Sequence, residues 1–325
     1  MAVIDNRYSL RAGVLADLKD TWTAQAPLFK EQQELLVKFL PYNNLRKATY
    51  AWKESIPFPA RWDYGMGRTY QTFKDNYIQI SNTAYELSIA YNRFDAHDDQ
   101  IGDVKEHVQL AVKRFLQLPD KFVAEYINNS ASLLPSINNA YDGVALFSDV
   151  DGDGDDRFST SGGNIITGTG SATTAAIKHD LMVAQRRLLT FKDTAGQPIF
   201  NADDVKLEKL HAVVPNALNA VIQDLAEGQY LRTDLGSTVA QSNITMGKFK
   251  YHLNPYLTDA ADWYVAVEHP FWRTFAFRAP NTPNQIIAEF ANSDHAREYN
   301  EEVLYADVRA GLGVWCPFTF IKVNN

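Results

Sequence analysis

From Asp103 to Ile127 a single apolar stripe runs along the chain. Val104, Val108, Ala111, Val112, Phe115, Phe122, Val123, Tyr126 and Ile127 recur at i, i+4, i+7 and i+8 spacing, the pattern of an amphipathic helix that buries one face. A helix over that span exceeds the three-turn globular mean, so it predicts a spine against which other elements pack. Pro119 carries no amide hydrogen and is expected to kink the helix or split it in two, with Asp120 following the break. Asp98, Asp99 or Asp103 is placed to cap the positive end.

Just before the stripe the period changes from helical to two. Tyr85, Leu87, Ile89 and Tyr91 alternate with Glu86, Ser88 and Ala90, as in a half-buried strand. With "RTYQTFKDNYIQIS" ahead of it, this segment predicts a long β-hairpin over residues 61–93, opened by "YGMGR". A two-stranded ribbon is marginal in water by itself. Its tyrosines are therefore expected to rest on a neighbouring subunit. Residues 1–60 read as an arm: a striped helix through Leu10, Val14, Leu15 and Leu18, a second helix between Pro27 and Pro41, and an aromatic, proline-rich strap from Ala48.

Downstream, "YDGVALFS" predicts a short strand and "TTAAIKHDLMVAQRRLLTFKD" an amphipathic helix. "KLHAVVP" predicts a buried strand, and "NALNAVIQDLAEG" a helix from Asn216 to Gly228. Further strands follow in "KYHL", "DWYVAVE" and "FWRTFAFRAP". A long terminal strand is expected from Asn300, with Gly311 and Gly313 as bulges. Helices and strands interleave without βαβ repetition, which makes the fold class α+β.

The chemistry is thin. "SDVDGDGDDRFST" places Asp149, Asp151, Asp153 and Gly154 as in the first half of an EF-hand calcium loop. Position nine is Arg157 and the closing position is Thr160, which cannot chelate as a bidentate glutamate does. A solvated acidic hairpin from Asp149 to Asp156 is expected, with a calcium-stiffened surface loop as the alternative. "NIITGTGSATTAAIKHDL" lacks the third glycine of a dinucleotide fingerprint, and Thr173 or Thr174 as a helix N-cap accounts for it. His97, His107, His179, His211, His252, His269 and His295 show no metal-site spacing. Cys316, the single cysteine, sits in apolar "GVWCPFTF" and is expected to be a buried structural thiol in a protein of the reducing cytoplasm. No apolar run is long enough to span a membrane. The net charge of −8 argues against nucleic-acid gripping as the main task. No catalytic, cofactor-binding or metal-ligating residue is assigned, and no cofactor.

An arm, a hairpin, a spine helix, a mixed body and a return strand form an assembly plan. In the order and spacing of "WKESIPFPARWDYGMGRTYQTFKDNYIQISNTAYELSIAYNRFDAHDD", "AYDGVALFS", "LMVAQRRLLTFKDTAGQPIF", "KLHAVVPNAL", "DWYVAVE" and "VLYADVRAGLGVWCPFTFIKV", residues 45–325 resemble the Mu-like major head subunit family (gpT-type major capsid protein) of tailed bacteriophages and prophages. The acidic loop departs from that family's pattern. The resemblance implies a Hong Kong 97-type capsid fold and no active site. It implies an N-terminal arm (1–60), an extended loop (61–93), a peripheral domain with the spine helix (94–140 and 296–325) and an axial domain (141–295). It further implies pentamers and hexamers in an icosahedral virion shell assembled in the host cytoplasm. Portal, scaffold and decoration proteins would be partners, and packaged double-stranded DNA would meet the inner face. A phage tail or baseplate ring protein is one alternative; a hydrolase with dispersed ligands, carrying a deep pocket, is another.

Overall fold

The computed structural model describes residues 30–43, 45–53, 59, 61–68, 70, 75–92, 106, 110, 114, 117–128, 140–232, 240–243, 245–279, 285–289 and 294–325. The arm helix expected around Leu10 to Leu18, the capping aspartates and much of the spine stripe lie outside them. The elements in chain order are α1 (Lys30–Leu36), β1 (Val37–Leu40), β2 (Lys47–Lys53), β3 (Asp75–Ser81), β4 (Thr83–Asn92), α2 (Leu118–Ile127), β5 (Ile165–Thr167), α3 (Thr174–Thr190), β6 (Leu210–Val214), α4 (Asn219–Glu227), β7 (Tyr230–Arg232), β8 (Ala240–Ser242), β9 (Lys250–Leu253), β10 (Trp263–Val267), β11 (Phe275–Arg278), β12 (Gln285–Glu289), α5 (Asp294–Tyr299), β13 (Glu301–Val314) and β14 (Phe320–Asn324). The class is α+β, as the interleaving predicted.

The body is a five-stranded sheet in the order β5-β14-β10-β6-β9. β6 and β10 are buried at every position, so both faces of this sheet need cover. On one face Ala212, Val214, Trp263, Val265, Ile321 and Val323 pack with Ile177, Leu181 and Leu188 of α3 and with Ile222 and Leu225 of α4. The alternate residues Val213, Tyr264, Ala266 and Phe320 face a second cluster, with Phe122, Val123 and Tyr126 of α2 and Phe275, Phe277, Leu312 and Val314. Period-two alternation thus divides the core into two clusters with the sheet between them.

The second sheet runs β1-β11-β13-β12, and β4 also pairs with β13. β13 is 14 residues long, about 45 Å at the usual rise per residue. It pairs with β4 from Glu301 to Ala310 and with β11 from Gly311 to Val314. A third unit is the two-stranded ribbon of β2 and β3, in register from Lys47↔Ser81 to Lys53↔Asp75. β7 and β8 form a small hairpin.

Several expectations need correction. The ribbon exists, but its arms are β2 and β3, not two strands inside residues 61–93. Only Asn82 separates β3 from β4, and one residue cannot reverse a strand, so the chain stays extended and each strand finds a different partner. β4 alternates as expected, yet its partner is β13 of the same subunit, and Tyr85 packs on Phe122 with ring centroids 4.9 Å apart. The helix after Pro27 stops at Leu36, and "VKFL" continues as β1, parallel to β11. Gly311 and Gly313 are not bulges, because the ladder with β11 runs through both. They are glycines because β3 crosses over them: a Cβ at Gly311 would meet the Ser81 carbonyl oxygen at 2.5 Å, and one at Gly313 would meet Ile80 Cγ1 at 3.0 Å. The terminal strand breaks at Trp315 and Cys316 before a 3-10 turn at Pro317–Thr319, which lets β14 enter the body's sheet.

Pro119 behaves as its chemistry requires. Glu106, Leu110 and Arg114 are helical, Gln117 is a turn, and α2 begins at Leu118 with Pro119 in its first turn. There a missing amide hydrogen costs nothing.

Candidate assembly surface

The ribbon has an inward and an outward face. Ala48, Trp52, Asn76, Ile78 and Ile80 are buried, while their neighbours along each strand are exposed or partly so. Trp52 meets Tyr141 edge-on at 5.2 Å and Phe318 at 5.9 Å. The base of the ribbon therefore belongs to its own subunit's core.

The tip is different. Trp62, Tyr64, Met66 and Tyr70 are all exposed, Tyr64 completely, and Tyr77 on β3 is 59% exposed. The tip is nonetheless built. Trp62 Nε1 donates to the Met66 carbonyl at 2.7 Å, the Met66 amide donates to the Asp63 carbonyl, and Gly65 takes φ +92° at the turn. Arg61 pairs with Asp63, and Arg68 lies over the Trp62 ring at 5.4 Å. Aromatic groups held in place and left in water match the composition of protein interfaces.

The acidic loop is a tight hairpin: Val150 bridges Asp156, and Gly154 takes φ +89°. Asp151 Oδ1 accepts from the amides of both Asp153 and Asp155. Arg157, the cation at the ninth EF-hand position, turns beneath the hairpin and is 1% exposed. Its guanidinium holds Asp142 through two hydrogen bonds, at 2.7 and 3.1 Å, and donates to the carbonyls of Ala145 and Leu146. Asn164 donates to the same Leu146 carbonyl. These side chains satisfy the backbone that a strand partner would have satisfied, which is why "YDGVALFS" forms turns instead of the expected strand. Among the described residues no group of three or more His, Cys, Asp or Glu is arranged to hold a metal.

The glycine turn before α3 is filled from within. Gly168 donates its amide to the Asn324 carbonyl and Gly170 to Asn325 Oδ1, and a Cβ on Gly168 would collide with Asn325. Thr173 caps α3 through the Ala176 amide, as expected. Cys316 is fully buried, also as expected.

Sequence reasoning missed one cluster that the fold assembles. His211 on β6 and His252 on the adjacent β9 lie Nδ1 to Nε2 at 2.8 Å, and His211 Nε2 meets Glu268 Oε2 at 3.0 Å. The Glu268 carboxylate accepts, so His211 carries its proton on Nε2 and receives the His252 proton on Nδ1. The two rings are parallel to within 8°, with centroids 5.1 Å apart, and form a hydrogen-bonded chain that ends on the carboxylate. Burial, and then His211, push His252 down to about 4. The hydrogen bond from His211 holds Glu268 below the usual carboxylate range. No local spacing signals this cluster, since 41 residues separate the two histidines. Elsewhere His179 pairs with Asp180, and His269 stacks on Trp272 at 4.2 Å. His97 and His107, and the side chain of His295, lie outside the described residues.

Residues 31–176 match the family model described as the Mu-like prophage major head subunit gpT. A comparison with curated proteins finds no match. Among solved structures, the capsid of an empty GTA particle superposes with a TM-score of 0.56 at 9% identity, covering 93% of this chain and 91% of that one. The capsid of cyanophage P-SCSP1u gives 0.53 at 11% identity, over 92% and 88%. The mature capsid of bacteriophage PhiM1 gives 0.51 at 12% identity, over 92% and 87%. The fold is that of tailed-phage capsid subunits, the Hong Kong 97-like type.

Proposed function

We infer that this chain is the major capsid protein of a tailed bacteriophage, akin to the Mu-like gpT major head subunit, and that its work is structural. One coincidence carries the reading. The family match covers the ribbon, β4 and α2, while the capsid fold extends over nine-tenths of the chain. The exposed aromatic tip is the surface such a subunit needs.

In the shell the body sheet with α3 and α4 forms the axial part, around which copies close into pentamers and hexamers. The sheet of β4, β12 and β13, with α2 and the spine, forms the peripheral part and meets other capsomers. β11 pairs with β13 and β14 pairs with β10 of the body sheet, so the chain passes between these two sheets more than once. The ribbon tip lies across a neighbouring subunit. Packaged double-stranded DNA fills the interior, and portal, scaffold and decoration proteins complete the virion.

Electron microscopy of the purified, concentrated protein tests this. Closed polyhedral shells are expected. A dispersed small oligomer, with or without hydrolase activity, overturns the reading, and so do open rings of the kind a tail or baseplate protein forms.

A further inference from the structure

We propose that the groove between the 158–163 turn and the C-terminal half of α3 is a phosphate-backbone contact for nucleic acid, so that this side of the body faces the shell interior. The proposal rests on the capsid reading and names where that reading's DNA is held. The groove has a volume of about 670 Å³, and its lining includes Ser159, Ser161, Arg186, Arg187 and Lys192 and no carboxylate. That is an unusual local balance in a chain of net charge −8. The neighbouring Asp193 is turned away: it is buried, and its Oδ1 accepts from the amides of Ala195 and Gln197.

The walls are fixed before any ligand arrives. The Lys192 amide donates to the Phe158 carbonyl at 3.0 Å, and Thr160 Oγ1 donates to the Thr190 carbonyl at 3.1 Å. Arg187 Nη1 reaches the carbonyls of Ser161 and Gly163. Arg187 therefore serves as a brace, and it complements the negative end of α3. Arg186 and Lys192 are exposed. Two cations on a braced frame, beside two serine hydroxyls, suit the spaced charges of a phosphodiester chain. They give affinity without base sequence, the form of contact a shell lining requires.

The contact has a thermodynamic signature. Each phosphate neutralised contributes close to one unit to the slope of log K against log salt. Short double-stranded DNA is titrated with unassembled subunits by fluorescence anisotropy at several salt concentrations. The double variant Arg186→Gln/Lys192→Gln is compared with wild type, and with Lys206→Gln/Lys209→Gln as a surface control. Circular dichroism checks folding, and microscopy at high concentration checks shells. The groove variant is expected to form shells, to bind DNA at least tenfold more weakly at low salt, and to lose about two units of slope. The control keeps both. An unchanged slope in a shell-forming variant overturns the groove and leaves the capsid reading standing. Loss of shells with DNA binding intact makes the groove a subunit contact and also overturns it. If wild type forms no shells, the capsid reading falls by itself.

Discussion

Arg157 shows how one residue sets the conformation of a long loop. A buried guanidinium is costly unless its donors are met, and here a carboxylate and two carbonyls meet them. Truncating it strands Asp142 and the Ala145 carbonyl, and leaves Asn164 as the remaining donor to the Leu146 carbonyl. Arg157→Ala is therefore expected to destabilise the subunit by about 3–5 kcal/mol, read as a fall in the urea midpoint with an unchanged m-value. A loss under about 1 kcal/mol would show that water replaces it. The exposed aspartates above it carry no such duty. Changing Asp149, Asp153 and Asp155 to Asn is expected to leave melting within a few degrees, and unfolding by a chelator would contradict that. Half of this is legible in the residues alone. The calcium pattern fails at position nine because Arg157 stands there, but only the fold reveals that the arginine is the loop's anchor.

At the scale of elements, the ribbon divides into a base that folds the subunit and a tip free to join subunits. Ile80 is fully buried and Ile78 nearly so, so Ile80→Ala is expected to cost about 2–5 kcal/mol. Deleting residues 66–91 removes β3 and β4 together and is expected to unfold the chain, because β13 loses its long ladder. Replacing residues 59–70 with a short Gly/Ser turn spares Trp52, Ile78 and Ile80. That variant is expected to keep its circular dichroism and to sediment as single subunits or loose capsomers. Closed shells from it would show that the tip joins nothing. Strand existence was legible here, because period-two alternation is local. Strand partnership was not, because β4 and β13 are more than two hundred residues apart in sequence and both neighbours of Asn82 alternate equally well. The apolar run of β6 is legible as a buried strand, since a strand buried on both faces needs no partner's identity to be recognised; β10 is legible as a strand, and its burial at every position comes from the fold.

For the whole molecule, two buried ionisable groups in different layers set opposite responses to pH. Asp120 in the first turn of α2 is 2% exposed, accepts from Gln33 Nε2 at 2.6 Å, and is pushed up to about 7 by burial. Its folded value lies above its unfolded one, so its contribution is most favourable in acid and declines as pH rises from about 4 to 7, by on the order of 4 kcal/mol. His252, across the body in β9, is pushed down to about 4. The unfolded chain takes up that proton first, so stability declines as pH falls from about 6.5 to 4, by on the order of 3 kcal/mol. Between pH 4 and 6.5 the two slopes oppose each other, and above 6.5 only the Asp120 loss continues. Neither group was visible as special in the sequence: Asp120 looked like a residue after a helix break, and His252 like one histidine among seven. Asp120→Asn keeps an acceptor for Gln33 and removes the charge. Urea denaturation of the unassembled variant at pH 8 is expected to show a gain of a few kcal/mol over wild type, shrinking toward zero at pH 4. With the opposing slope gone, the variant should lose stability steadily between pH 6.5 and 4, where wild type stays nearly level. A variant that tracks wild type at every pH would mean that Asp120 is ionised and solvated in the folded subunit, and that α1 and α2 do not seal it from water.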